Sequence, residues 1–293
     1  MIWTIKDVLQ WTTEYFVKQH IDSPRVDAEI LLSSVLQCNR VKLYVEQDKP
    51  LSQQELNTMH KLVERRGKHE PIAYILGSKG FMEDDFFVSP AVLVPRPETE
   101  LLVEKAAAIF QNEKIEFLDI GTGSGAIVIS LLKLLPNAYA TAVDISSDAL
   151  RVALTNAQNL GVADRVKFVK TNVYQGLDNQ KFALIISNPP YIPDKDIPTL
   201  AEDVQKEPRL ALAGGEDGLD FYRRIVQGAA QFLDSDGVLA MELGIYQSQA
   251  VATLCQDAGY TITKITKDYA GIDRDIFVTK EQGKYADKIL GLK

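Results

Sequence analysis

Apolar residues recur along this chain with one period near its start and a different rhythm after residue 115. Behind Ser23-Pro24, Ala28, Leu31, Leu32 and Val35 return at helical spacing; behind Ser52-Gln53-Gln54-Glu55, so do Leu56, Met59, Leu62 and Val63. Each set predicts a helix buried on one side. Proline is tolerated in a first turn, where its missing N–H would have no helical partner, and the Ser-x-x-Glu pattern is a capping box. Residues 1–75 are therefore expected to form a helical domain. Gly67 and Pro71 punctuate its end. From Ile72 to Val94, short apolar and aromatic pieces separated by Gly77, Gly80 and Asp84-Asp85 predict a small hairpin, which makes 76–98 a linker.

A helical pattern resumes over 99–111, with Leu101, Leu102, Val103 and Ala106 to Ala108 as its packing surface. Strands and helices then alternate: strands over 115–120, 138–144, 166–170, 182–187 and 237–243, and helices over 126–135, 147–159, 219–233 and 246–258. A last pair of strands, 261–267 and 274–279, is separated by a short loop and expected to be antiparallel. This rhythm predicts a mostly parallel sheet covered by helices on both faces, an α/β domain over 99–293.

Composition narrows the functional classes. With 293 residues, 46% hydrophobic and 25% charged, the chain is ordinary for a globular protein and long enough for two domains. No apolar run approaches the roughly 18 residues needed to cross a membrane, so no membrane partner is expected. Met1 to Asp7 lacks the basic and apolar regions of a secretory signal, which points to the cytoplasm. Cys38 and Cys255 form no CxxC pair, and His20, His60 and His69 have no metal-binding spacing, so neither a disulfide scaffold nor a metal is expected. Lys plus Arg total 32 against 40 for Asp plus Glu, a formal charge of −8. That balance argues against a stable nucleic-acid partner, since cationic surface supplies much of the affinity for phosphates.

Candidate chemistry begins where Phe117-Leu118-Asp119-Ile120 runs into Gly121-Thr122-Gly123-Ser124-Gly125. Ligands of open parallel sheets collect beyond the carboxyl ends of the strands, and glycines there let the backbone approach a ligand without a Cβ in the way. N–H groups opening the next helix can donate to a polar ligand end. The spacing is G-x-G-x-G, one residue short of the dinucleotide fingerprint. Asp144, ending the second strand, can bind both hydroxyls of a ribose, and Asp119 can face a positively charged amino group. After the third strand, Asn172 offers a donor and an acceptor to a nucleobase and Val173 an apolar edge. On these residues alone, a sulfonium nucleoside, a nicotinamide dinucleotide and a purely structural turn all stay open.

The sharpest signal is Asn188-Pro189-Pro190-Tyr191, at the end of the fourth strand. The prolines lack amide donors and hold the preceding residues away from helical geometry, giving a stiff tip that displays acceptors. The Asn188 side-chain oxygen and the Pro189 carbonyl can accept one N–H each from a single planar NH2. Tyr191 can lie across that flat group and exclude water. Such a tip suits methyl transfer to an amide or amino nitrogen, a poor nucleophile whose lone pair must be aimed at the methyl carbon. A neutral Asn188 amide is no general base.

These two segments together resemble the S-adenosylmethionine-dependent amino-methyltransferases that act on glutamine amides and on adenine or cytosine amino groups. Pro71-Ile72-Ala73-Tyr74-Ile75-Leu76-Gly77, Phe87-Val88-Ser89-Pro90, Val94-Pro95-Arg96-Pro97-Glu98-Thr99-Glu100, Glu207-Pro208-Arg209-Leu210-Ala211-Leu212, Gly214-Gly215-Glu216-Asp217-Gly218-Leu219 and Asp268-Tyr269-Ala270-Gly271-Ile272-Asp273-Arg274 narrow the likeness to the release-factor glutamine N5-methyltransferases. The resemblance covers essentially the full chain. It implies a seven-stranded class I methyltransferase sheet of Rossmann-like type, with the helical domain recognising substrate. S-adenosyl-L-methionine is the implied cofactor, S-adenosyl-L-homocysteine the product, and peptide chain release factors the partners of a monomer.

Carried over, the resemblance makes Asp119, Gly121, Thr122, Gly123, Gly125, Asp144, Asn172, Val173 and Asn188 the cofactor site. Asn188, Pro189, Pro190 and Tyr191 hold the glutamine of a Gly-Gly-Gln tip, with Arg96, Thr99 and Glu100 supporting them. Glu98 replaces the aspartate common in the family and leaves the charge unchanged. The main alternative is an adenine-N6 methyltransferase acting on DNA or RNA, since an exocyclic amino group presents the same planar NH2.

Overall fold

The structure, a computed structural model, describes residues 2–177, 180–280 and 283–292. Met1 and Lys293, the outer limits of the expected domains, lie outside the described residues. The chain divides into two compact units, Met1–Ser78 with Ala201–Lys206, and Lys79–Leu200 with Glu207–Lys293.

The first unit contains α1 (Ile5–Lys18), α2 (Pro24–Leu36), α3 (Arg40–Val45), α4 (Gln53–Gly67) and α5 (Ile72–Leu76). Ser52 and Glu55 form the expected capping box on α4, and Thr4 and Asp7 form a second one on α1. Ser23 stands at the N-cap of α2 but its side chain makes no capping bond, leaving Pro24 to open that helix. Ile5, Phe16, Leu31, Leu32, Leu43, Met59 and Val63 fill the core, while Val35, Leu56 and Leu62 sit partly buried at its margin. Residues 72–76, where the sequence suggests the approach to a hairpin, form α5 instead. Arg66 is buried between Asp27 (2.7 Å) and Asp203 (3.2 Å), which ties 201–206 into this unit.

From the unit boundary at Ser78 onward come a hairpin, β1 (Ser78–Phe81) and β2 (Asp84–Phe87), and then α6 (Pro97–Phe110). Then come β3 (Glu116–Ile120), α7 (Ala126–Leu134), β4 (Tyr139–Asp144), α8 (Ser147–Asn159), β5 (Val166–Lys170) and β6 (Phe182–Ser187). The rest is α9 (Arg209–Leu212), α10 (Asp220–Phe232), β7 (Leu233–Glu242), α11 (Ser248–Asp257), β8 (Ile262–Lys267), β9 (Asp273–Thr279) and α12 (Ala286–Leu290). The hairpin packs within the second unit through Phe81 and Phe86, both buried and edge-to-face with ring centroids 5.9 Å apart.

Seven strands form one sheet in the order β5-β4-β3-β6-β7-β9-β8. β9 runs antiparallel to both β7 and β8, and the other pairings are parallel. Alternate residues of each strand feed two cores. Phe117, Ala140, Leu184 and Val238 face Leu102, Phe110, Val128 and Leu132 on one side. Leu118, Val143, Ile185 and Leu239 face Tyr222, Ile225 and Val251 on the other. From β3 the chain fills the sheet outward to β4 and β5, then returns to place β6 on the other side of β3. Strand order thus reverses between β3 and β6, and the crevice beyond their carboxyl ends is where such sheets bind ligands. The glycine turn leaves β3 there, and Asn188-Pro189-Pro190-Tyr191 leaves β6.

Candidate active site

One cavity of about 250 Å³ occupies that crevice. Gly121, Gly123, Asp144, Asn172 and Val173 line it together with Asn188, Pro189 and Pro190, so the two sequence signals share one space. Val92, Pro208, Leu210, Phe221 and Arg224 complete much of the wall.

The glycine turn is held from behind. Gly121 and Thr122 donate their N–H groups to Val143 O at 2.9 and 3.0 Å, which locks the turn to the end of β4. Gly125 has φ +82, and a Cβ there would come within 2.8 Å of Ile129 Cδ1. A side chain is excluded twice over, by conformation and by space. Asn156, buried on α8, donates to Ser124 O at 2.8 Å and exchanges two bonds with the backbone of Phe87, at 2.8 and 2.9 Å. It fastens the turn to the end of the hairpin.

Asp144 accepts from Gly123 N at 3.0 Å and from Ser146 N at 2.8 Å, one bond to each oxygen. Burial pushes its carboxyl above the ordinary range, opposed by those N–H donors. Each oxygen keeps a lone pair for a hydroxyl. Asp119 lies wholly buried beneath the turn and does not line the cavity. Thr122 Oγ1 donates to its Oδ2 at 2.7 Å, while Oδ1 has no partner. Burial pushes this carboxyl up to about 7. A buried carboxylate oxygen without a donor is costly, and a cationic group brought near it would relieve that cost. Thr122 and Gly125 also stand behind the lining.

Asn172 Oδ1 accepts from Arg224 Nη2 at 2.5 Å, which leaves the Asn172 NH2 as the group offered to a ligand. Val173 is held at φ +60, unusual for a β-branched residue, in the tight loop where Thr171 Oγ1 bonds Gln175 O. The Arg224 guanidinium lies 5.2 Å above the Phe221 ring.

Behind the tip, Asn188 Nδ2 donates to Thr99 Oγ1 at 3.0 Å, and Thr99 donates to Glu242 Oε2 at 2.5 Å. Thr99 and Glu242 are buried, and burial pushes the Glu242 carboxyl up to about 7. Pro189 is buried and Pro190 half-buried in the wall. Tyr191 packs back against the core, outside the lining, with its hydroxyl 3.5 Å from Glu242 Oε1. Burial, with Glu242 beside it, raises the Tyr191 hydroxyl far above its ordinary value and keeps it neutral. The backbone after the tip bridges to Ala213: Ile192 N donates to Leu212 O (3.0 Å) and Gly214 N to Ile192 O (2.8 Å). A Cβ on Gly214 would sit 2.8 Å from Tyr191 Cα.

Arg96 and Glu100 line no part of the cavity. Arg96 Nη2 donates to Glu207 Oε1 at 2.5 Å, and Val94 N to Glu207 Oε2 at 2.8 Å. Glu100 accepts from Met82 N at 2.8 Å and so fixes the hairpin turn. Phe221, Arg224, Asn156 and Glu242 escaped the sequence reading. Phe221 and Arg224, three apart at the start of α10, carried the only readable signal, an aromatic and a cation facing one way. Among the described residues no group of three or more His, Cys, Asp or Glu is arranged to hold a metal ion.

Residues 7–77 match the family model of the PrmC N-terminal domain, and 97–216 that of the methyltransferase small domain. A release factor glutamine methyltransferase of Geobacter sulfurreducens is 44% identical over 274 residues, covering 93% of this chain and 95% of that protein. One from Moorella thermoacetica is 40% identical, over 92% of this chain and 96% of its own. In fold, a methyltransferase from Pyrococcus furiosus superposes with a TM-score of 0.53 at 20% identity, covering 76% of this chain and 98% of that one.

Proposed function

We propose, from the premise that this chain belongs to the family of release factor glutamine methyltransferases, that it transfers a methyl group from S-adenosylmethionine to the side-chain amide nitrogen of a release-factor glutamine. The observation that carries this reading is the single cavity walled by the glycine turn and Asp144 on one side and by Asn188-Pro189-Pro190 on the other. The same residues fit the cofactor: Gly121 and Gly123 have positive φ and no atom closer than 4.0 Å to where a Cβ would stand, Asp144 keeps lone pairs for a ribose, and Asp119 Oδ1 lacks a donor. When bound, S-adenosylmethionine supplies an electrophilic methyl carbon on a sulfonium.

The chain's own part is to bind, orient and exclude water. Asn188 Oδ1 and the Pro189 carbonyl accept the two N–H groups of the glutamine amide, which aims the nitrogen lone pair at the methyl carbon and favours the positive charge that develops on nitrogen. Asn188 removes no proton, and the product loses its proton to water. Tyr191 backs the tip, while Arg96, Thr99 and Glu100 act through it and the hairpin. The helical unit supplies contacts to the release factor away from the reacting amide, so that remote binding energy aligns the nitrogen. The enzyme works as a monomer in the cytoplasm.

Incubation with methyl-labelled S-adenosylmethionine, purified release factor and DNA tests the reading. Label is expected in the release-factor glutamine and lost, by about 10²-fold or more, in N188A at saturating cofactor. Transfer to DNA alone would replace this function with adenine methylation.

A further inference from the structure

Asn188 can hold a substrate NH2 only with its carbonyl oxygen turned forward. The two ends of a carboxamide are nearly equal in size, so packing does not choose between them; the choice must come from a neighbour with a fixed hydrogen-bond sense. Thr99 has one hydroxyl proton and two neighbours, Glu242 Oε2 at 2.5 Å and Asn188 Nδ2 at 3.0 Å. A proton committed to a carboxylate makes the stronger, charge-assisted bond. The hydroxyl then has only lone pairs left for Asn188, which must turn its NH2 backward and its oxygen forward.

We propose that Glu242 is a positioning residue for methyl transfer: acting through Thr99, it holds the Asn188 carboxamide in the one orientation that accepts from the substrate nitrogen. The inference rests on the amide-nitrogen reading given above. Glu242 lies outside the cavity lining and is 1% exposed at the end of β7. Its environment keeps its protonation adjustable. Burial raises its carboxyl most; Thr99 opposes that, Asp275 on β9 and Glu98 on α6 add to it, and Arg274 on β9 opposes it. Lys105 sits 2.8 Å from Asp275 and offsets part of that negative charge. The Tyr191 and Tyr222 hydroxyls, both raised far above ordinary values, stay neutral.

Since burial pushes Glu242 up to about 7, the carboxyl gains its proton as pH falls through that value. Protonated, it donates to Thr99, whose own proton then points at Asn188 and favours the reversed amide. Turnover at saturating cofactor therefore declines on the acid side, an effect on kcat separate from any change in cofactor affinity.

The test measures kcat and KM for release factor from about pH 5.5 to 9 in wild type, T99V, T99S and E242Q, with S-adenosylhomocysteine binding followed by calorimetry. T99V is expected to lower kcat by about 10²-fold while S-adenosylhomocysteine affinity stays within about twofold, and T99S, which keeps the hydroxyl, to recover most of the loss. E242Q does not titrate in this range and is expected to lose the acid limb of kcat. Wild-type turnover in T99V, or an acid limb unchanged in E242Q, would overturn the proposal. If T99V fails to bind S-adenosylhomocysteine, the E242Q profile decides alone. A wild type that labels no release factor sinks the functional reading, and this inference with it; an active wild type with indifferent variants sinks only the inference.

Discussion

Asp144 shows how much one residue at a strand end does. Its two oxygens accept backbone N–H groups from Gly123 and Ser146, so it shapes the glycine turn while presenting acceptors to the cavity. In D144N one of those N–H groups would meet an NH2, and an acceptor toward the ribose would be lost. Calorimetry with S-adenosylhomocysteine should show affinity reduced by about 10- to 100-fold, the effect of one or two charge-assisted bonds. Asp144 and Asn188 were legible in the sequence because each stands where an apolar run stops at a polar group or a chain breaker. Glu242 was not, and Thr99 was named only through the family resemblance, without its link to Glu242. They lie 143 residues apart, each beside ordinary helix or strand residues, and only the folded contact joins them. Asn172 was legible as a polar group in the right loop, but its partner Arg224 was hidden in the amphipathic pattern of α10.

Elements place these residues through a few buried polar bonds. Asn156 on α8 links the end of β2 to the glycine turn with three bonds in a site where it is 1% exposed. N156A leaves the Phe87 N–H and the Ser124 carbonyl without that partner, and chemical denaturation should report a loss of about 1–3 kcal/mol. Nothing local in the sequence distinguishes Asn156 from any helical asparagine. The order of elements in the second unit was readable from the alternation of strand and helix runs, because a parallel sheet needs helical crossovers. The position of β9 between β7 and β8 was not, since a hairpin loop sets its two strands antiparallel without saying which of them reaches the sheet. The approach to the hairpin misled for a similar reason. Ile72–Leu76 is a short apolar run, which periodicity cannot assign to strand or helix, and Pro71 before it with Gly77 at φ +70 after it decides for the helix α5.

At the scale of the whole molecule, the site is held in a form that a ligand completes. Asp119 is buried beneath the turn, with one oxygen lacking a donor and its carboxyl pushed up to about 7 by burial first and by the nearby Asp144 charge after it. A carboxyl raised in this way contributes its stability in full below its unfolded value, loses it progressively as pH rises, and has none left once pH passes about 7. Glu113 and Asp217, held down to about 2 by neighbouring cations, work in the opposite sense, adding stability above their unfolded values. Those groups are common to wild type and D119N, so the difference between the two proteins isolates Asp119. In the absence of cofactor, thermal unfolding should show the stability of wild type relative to D119N falling as pH is raised from about 4 to 7 and level beyond. S-adenosylmethionine reverses the preference, because its cationic amino group favours the ionised Asp119. Its affinity for wild type should therefore weaken as pH falls below about 7, whereas D119N should bind more weakly and with little dependence on pH across that window. A wild-type profile parallel to that of D119N, in both unfolding and binding, would show that the buried carboxyl carries no linkage to the cofactor.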